Sequence, residues 1–199
     1  WRPFEFNNKR ITVDTKMKYW HERLPIKFSW NDIFQNHLKV ALKLKDFCVK
    51  SNIDFEVIGC SVVPEKIDDE IKFFKNKLGE NDWKFVKSSK EKRGHYLTNN
   101  SKYVVTMDST LGYECFARGQ RVIFFSLVPN LVKYDYAKFG WPMKTNYEGK
   151  FWTTSNTEKD FLRLTDYLIN ALDEDWDKSR NDYEDFLHYN FDNTKFKNF

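Results

Sequence analysis

Apolar positions recur along the chain at two periods, and their alternation predicts a rhythm of helices and short strands. Phe34, Leu38, Ala41, Leu42, Lys45 and Cys48 fall at helical spacing and, apart from Lys45, form an apolar stripe. Ser29-Trp30-Asn31-Asp32 has the S-x-x-D form of a helix start, so a helix is expected to about Lys50, with Asn52 as its breaker. Phe55 to Cys60 reads as a strand. Pro64 suits a first helical position, Ile67, Ile71, Phe74 and Leu78 continue on one face, and Gly79 suits the cap. Trp83 to Val86 is a short strand, Ser88 to Gly94 a polar loop, and His95 to Asn99 a short helix. Tyr103 to Met107 reads as a buried strand, Thr110 to Arg118 as a compact helix stopped by Gly119, and Arg121 to Ser126 as another strand. The pattern from Val128 to Thr154 is irregular, with Gly140-Trp141-Pro142 and Glu148-Gly149 as turn signals. Thr157 can cap a helix whose Phe161, Thr165, Leu168 and Leu172 share a face. Asp175 to Phe199 looks helical to about Leu187 and then becomes an aromatic, Asn-rich tail. At the other end, Trp1 to Lys27 has no clear period, with Ile11-Thr12-Val13 as a short strand.

Short apolar strands alternating with helices predict an α/β fold: a Rossmann-like parallel sheet with helices on both faces and right-handed crossovers. The expected organisation is an N-terminal extension or interdomain segment over 1–30, one Rossmann-like domain over 31–187 and a tail over 188–199. Ligands of such sheets bind beyond the carboxyl ends of the strands. That singles out the loops at Cys60-Ser61, Lys87-Ser88-Ser89 and Asp108-Ser109-Thr110.

Composition narrows the function classes. The 199 residues suit a folded domain with a sizeable core: 41% are hydrophobic and 18% aromatic. A formal net charge of +4, evenly spread, does not argue for nucleic acid, although it tolerates an anionic ligand. Cys48, Cys60 and Cys115 are far apart and lack a Cys-x-x-Cys pair, so neither a disulfide framework nor a zinc site is indicated. A reducing, cytoplasmic setting fits. No apolar run approaches the roughly 18 residues of a membrane span, and no signal peptide is visible. The chain begins at Trp1 without a Met, as a processed product or a piece of a longer protein would.

The sharpest chemical signal is Tyr103-Val104-Val105-Thr106-Met107-Asp108-Ser109-Thr110-Leu111-Gly112-Tyr113-Glu114. A buried strand ends at Asp108 and two hydroxyl residues stand where the next helix begins. Backbone N–H groups and the positive end of the helix dipole make such a spot a ready anion site. Ser109 and Thr110 add hydroxyl donors, and Gly112 lets a ligand approach the first turn. Glu114, four residues past Thr110, can accept hydrogen bonds from ribose hydroxyls. The same residues also read as an ordinary helix cap with an incidental glycine. The phosphate loop with its lysine is absent, which disfavours a phosphoryl-transfer NTPase.

The run from Asp108 through Gly119-Gln120-Arg121-Val122-Ile123-Phe124-Phe125 resembles the donor-site segment of GT-B-type bacterial surface-polysaccharide glycosyltransferases. Phe139-Gly140-Trp141-Pro142 and Glu148-Gly149-Lys150-Phe151-Trp152-Thr153 are similar to segments of capsule and lipopolysaccharide biosynthesis proteins, Kdo transferases among them. The resemblance spans about Asp54 to Asp177 and is strongest from Tyr103 to Ser126. It implies the C-terminal, donor-binding half of a two-domain enzyme. Ser109, Thr110 and Gly112 are then expected at the donor phosphate and Glu114 at the ribose or sugar. The general base of such enzymes usually comes from the N-terminal domain, so no catalytic residue is named here. An N-terminal Rossmann-like domain or partner subunit is expected to complete the enzyme.

Lys87, Ser88 and His95 are further candidates for base or phosphate contacts, although a solvated basic loop explains them equally well. His21, His37 and His188 lack ligand spacing. Asp68-Asp69-Glu70 and Asp173-Glu174-Asp175 fall at helix ends and need no metal. Trp141, Phe151 and Trp152 can stack on a base or sugar, or belong to the core. Asp173-Glu174-Asp175 and Asp175-Trp176-Asp177 have Asp-x-Asp spacing but belong to that same helix-end acid cluster, so no metal or other cofactor is expected. The expected reaction moves a sugar from a nucleotide-sugar to a glycan or lipid-linked acceptor, at or near the inner membrane face. By resemblance CMP-Kdo is the first donor expected, with UDP- and GDP-sugars open. A CDP-glycerol-type glycerophosphotransferase and a non-catalytic nucleotide-sugar-binding subunit are the competing readings.

Overall fold

A computed structural model describes residues 30–59, 61–89, 94–107, 109–132, 138–140 and 145–183. The expected Ile11–Val13 strand, the Ser29 cap and the tail lie outside them. The described residues form two compact units, one running up to Asn99 together with 127–132, the other made of 100–126 and the described residues from Lys138 onward.

The first unit contains α1 (Trp30–Lys50), β1 (Glu56–Ile58), α2 (Pro64–Leu78), β2 (Lys84–Val86) and α3 (Gly94–Leu97), and the 3-10 turn Thr98–Asn100 straddles its boundary with the second. A five-residue helix, α5 (Val128–Val132), belongs to it too and replaces the start of the expected irregular stretch. β1 and β2 pair in parallel, Glu56 opposite Lys84 and Ile58 opposite Val86. α2 starts on Pro64 and ends where Gly79 takes φ +83, a left-handed value that favours glycine. α1 and α2 pack through Leu38, Ala41, Phe74 and Leu78, with Phe55, Val57, Phe85 and Trp83 around them. The observed stripe of α1 is rotated from the expected one: His37, Val40 and Leu44 are buried and Leu42 is exposed. Lys45, the anomaly in that stripe, sends its ammonium to the carbonyl of Leu78 at the C-terminus of α2, where a cation meets the negative end of the helix dipole.

The second unit contains β3 (Tyr103–Thr106), α4 (Thr110–Ala117), β4 (Arg121–Phe125), β5 (Trp152–Thr153), α6 (Glu158–Asn170) and α7 (Asp173–Asn181). Its sheet has the order β3-β4-β5, all parallel. The fold is thus mixed α/β with parallel strands, as expected, carried in two small sheets. β5 falls inside the stretch whose pattern is irregular; two residues are too few to show a period. Every residue from Val122 to Phe125 is buried, which requires cover on both faces of β4. Successive strand residues face opposite ways. Phe124 meets Phe116 of α4 at 5.7 Å between ring centroids, and Phe125 meets Phe161 of α6 at 6.1 Å, so α4 and α6 lie on opposite faces.

α6 begins at its expected cap: the Thr157 hydroxyl accepts from the Asp160 N–H at 3.3 Å. Phe161, Thr165 and Leu168 are buried. Leu172, expected on that face, is 72% exposed because the helix stops at Asn170. Arg121 fixes that end. Its guanidinium donates to the carbonyls of Leu168 at 3.1 Å and of Ala171, reaches Asp173 at 2.7 Å, and lies over Trp176.

Candidate functional site

The strand β3 delivers the chain to the helix α4 at the carboxyl edge of the second sheet. Ser109 takes an extended conformation, φ −98° and ψ 132°, and caps the helix. Its Oγ accepts from the Leu111 N–H at 3.3 Å and its carbonyl from the Gly112 N–H at 3.1 Å. These bonds engage two of the orphan donors of the first turn. Among the described residues nothing engages the Thr110 N–H. A hydroxyl that accepts at a cap retains its own proton, so Ser109 Oγ can donate to an anion while it caps. Thr110 and Glu114 are both exposed, and four residues apart they lie on one face, a turn from each other. Asp108 lies outside the described residues.

Gly112 is buried, and the structure gives its lack of a side chain a definite cause. A Cβ built there would be 2.3 Å from Thr106 Cγ2 and 2.6 Å from Thr106 Cβ. The helix therefore packs directly on the end of β3, and this strand contact by itself requires glycine. Thr106 is buried, and its Oγ1 has no hydrogen-bond partner among the described residues. An unsatisfied buried hydroxyl of this kind costs about 1–3 kcal/mol.

Tyr113 links α4 to the segments further along the chain. Its ring stacks on Phe139 with centroids 5.6 Å apart, and its hydroxyl accepts from the Gly140 N–H at 3.1 Å. Phe139 in turn stacks on Trp152 at 4.7 Å. Phe151 and Trp152 are buried, so of the two candidate roles they take the core one. Gly149 is pressed against the Trp152 indole, with room for no Cβ. The segment Glu148–Thr153 is clasped to α6 by Arg163, which donates to the carbonyls of Gly149 and Trp152. Burial raises the Asp160 carboxyl, but hydrogen bonds from Thr157, Ser155 and Arg163 and the Arg163 charge outweigh it, so the group titrates below its ordinary range. Trp141 and Pro142 lie outside the described residues.

The remaining candidates belong to the first unit. Lys87 is exposed directly after β2. Ser88 is buried and donates its hydroxyl proton to the Gly59 carbonyl, tying the carboxyl ends of β1 and β2 together. That bond gives Ser88 a structural role. His95 is in α3, and its side chain lies outside the described ones. Ser109, Thr110, Gly112 and Glu114 are thus brought together on one helix, whereas Lys87, Ser88 and His95 fall in the other unit. The topology adds Ser126, which the sequence pattern does not single out. It follows β4 directly, at the same edge as Ser109, and its N–H donates to Thr153 at 2.9 Å. Its signal is a hydroxyl residue after an unbroken apolar strand.

Asp173, Glu174 and Asp175 open α7, where acids complement the helix dipole. Cys48 is half-buried, Cys115 is buried and both are free thiols; burial pushes the Cys48 thiol up. Cys60 lies outside the described residues. Among the described residues no group of His, Cys, Asp and Glu could hold a metal ion, and no helix is long and apolar enough to cross a membrane.

A family model described as "putative O-antigen biosynthesis protein" matches residues 5–199. No curated protein and no solved structure matches the chain.

Proposed function

Because the chain belongs to this family of O-antigen biosynthesis proteins, we propose that it is a nucleotide-sugar-binding domain of a glycosyltransferase. Its work lies in surface-polysaccharide biosynthesis. The reading is carried by one observation: α4 opens at the carboxyl edge of a parallel sheet with Ser109 as its cap and Thr110 and Glu114 exposed on one face. Parallel α/β sheets bind ligands at that edge, and a helix N-terminus there favours an anion.

In this reading the donor phosphate meets the Thr110 N–H and the hydroxyls of Ser109 and Thr110. Glu114, one turn further, accepts hydrogen bonds from ribose or sugar hydroxyls. When the bond between sugar and phosphate breaks, negative charge grows on the leaving phosphate, and the fixed dipole and hydroxyl donors stabilise it there. The helix packs against Thr106 without an intervening side chain, which holds these donors rigidly. CMP-Kdo is the first donor to try, on the resemblance of the Asp108–Phe125 segment, and UDP- and GDP-sugars follow.

A thermal-shift panel of CMP, CDP, UDP and GDP tests the reading. A ligand at about 100 times its Kd stabilises by about 2.7 kcal/mol, which a melting curve resolves. At least one nucleotide is expected to raise the Tm of the wild type, and to raise it less in Ser109→Ala and Glu114→Ala. No stabilisation by any of the four, or equal stabilisation of both variants, rejects the site.

A further inference from the structure

The first unit carries a cleft of about 390 Å³ at the amino-terminal edge of β1 and β2, the edge opposite the one where ligands of parallel sheets ordinarily bind. Three segments line it: the last turn of α1 at Cys48, the turn Asn52–Asp54 ahead of β1, and Asp82–Trp83–Lys84 entering β2. Its volume falls within the usual range of small-molecule sites. We propose that this cleft is a saccharide subsite that takes an uncharged sugar unit of the glycan.

Charge decides against the other common ligands. Lys84 faces Asp54 at 4.0 Å, which leaves Asp82 as the surplus charge of the cleft. The C-terminus of α1 also ends here, and its carbonyls at Cys48 and Val49 accept from Ile53 and Asn52. A helix C-terminus is the negative end of the dipole, so a phosphate or carboxylate is disfavoured. A sugar hydroxyl is an uncharged donor, and the Asp54 and Asp82 carboxylates and the Asn52 amide oxygen can accept from it.

The apolar part of the cleft suits the same ligand. Trp83 is half-buried against Phe74, with centroids 6.3 Å apart, and its Nε1 donates to the Gly79 carbonyl at 2.7 Å. Trp83 is among the residues lining the cleft, and with that N–H engaged its indole is held in place; an aromatic ring so held is one on which the C–H face of a pyranose can stack. Asn52 and Asp82 adopt positive φ, 52° and 66°, conformations that Asn, Asp and Gly tolerate best. The family assignment supplies the reason for a sugar here, since O-antigen is a polysaccharide. The proposal does not depend on the nucleotide reading of α4.

Those two φ values also provide clean test variants. Asn52→Gly and Asp82→Gly keep a backbone that glycine accepts and remove only the polar groups. The full chain is labelled with fluorotryptophan, the Trp83 resonance is assigned by its loss in Trp83→Phe, and fluorine NMR follows titration with galactose, rhamnose, N-acetylglucosamine and lactose. The expected result is a saturable shift of the Trp83 resonance by at least one of these sugars in the millimolar range. In each glycine variant the response weakens about tenfold, the factor expected for one lost hydrogen bond. It persists unchanged in Ser109→Ala, which separates this site from the nucleotide site. The proposal is overturned if no sugar moves the Trp83 resonance, if only magnesium chloride or inorganic phosphate moves it, or if both glycine variants respond like the wild type.

Discussion

Replacing Gly112 by alanine puts a methyl group 2.3 Å from Thr106 Cγ2 and 2.6 Å from Thr106 Cβ. Ordinary contact begins near 3.4 Å, so α4 has to retreat from β3 by about 1 Å. Rotating the threonine relieves the first contact only, because Thr106 Cβ is fixed to the strand. Overpacking of this kind costs about 1–3 kcal/mol, and a contact that no rotamer relieves belongs at the upper end. Against it stands the better helix propensity of alanine, about 1 kcal/mol. The net expectation is a loss of about 2 kcal/mol, and at about 2–4 °C per kcal/mol for a chain of this size, a Tm drop of about 4–8 °C. Thermal unfolding followed by circular dichroism measures it. Thr106→Ala leaves the offending Cβ in place and gives little relief, whereas Thr106→Gly removes it, so Gly112→Ala costs less in the Thr106→Gly background. An unchanged or raised Tm for Gly112→Ala refutes the packing argument and returns Gly112 to an incidental role.

Three further outcomes are expected. Arg121→Ala loses about 2 kcal/mol because the carbonyls of Leu168 and Ala171 lose a charged donor; Asp173→Ala loses under about 0.5 kcal/mol because that carboxylate is 93% exposed, and urea titrations of the two compare them. Asp160 has a lowered folded-state pKa, so its contribution is present above the unfolded carboxylate pKa of about 3.9 and is lost as pH falls below it; urea melts between about pH 6 and pH 3 should show a shallower acid loss for Asp160→Asn. Burial raises the Cys48 thiol, so iodoacetamide should alkylate it more slowly at pH 8 than a free cysteine peptide, and the fully buried Cys115 more slowly still, as read by mass spectrometry.

The elements with strong local punctuation are legible in the amino-acid sequence. Pro64 and Gly79 bracket α2, Thr157 caps α6, and the hydroxyl pair after Tyr103–Thr106 marks the start of α4. Glu114's place on the helix face follows from spacing alone. What the sequence hides has one physical cause, which is contact between residues far apart in the chain. β5 is only two residues long and exists because Phe124 and Phe125 offer it a pairing edge. Lys45 breaks an apolar stripe until Leu78 is seen to accept its hydrogen bond. Gly112 is explained by Thr106, and Ser88 by Gly59, neither of which spacing along one helix or strand can reveal. Phe151 and Trp152 carry no local mark that separates stacking on a ligand from ring contact with Phe139. In a chain so rich in aromatics the core accounts for them.

Calorimetric titration of CMP, CDP, UDP and GDP, each against its own nucleoside, tests the central claim most directly because the difference isolates the phosphate. At least one nucleotide should bind more tightly than its nucleoside. Ser109→Ala should shrink that difference by about tenfold to a hundredfold, the worth of one hydrogen bond to a charged group, while leaving the nucleoside unaffected. Nucleotide and nucleoside binding alike, or an undiminished difference in Ser109→Ala, would contradict a phosphate site at the start of α4.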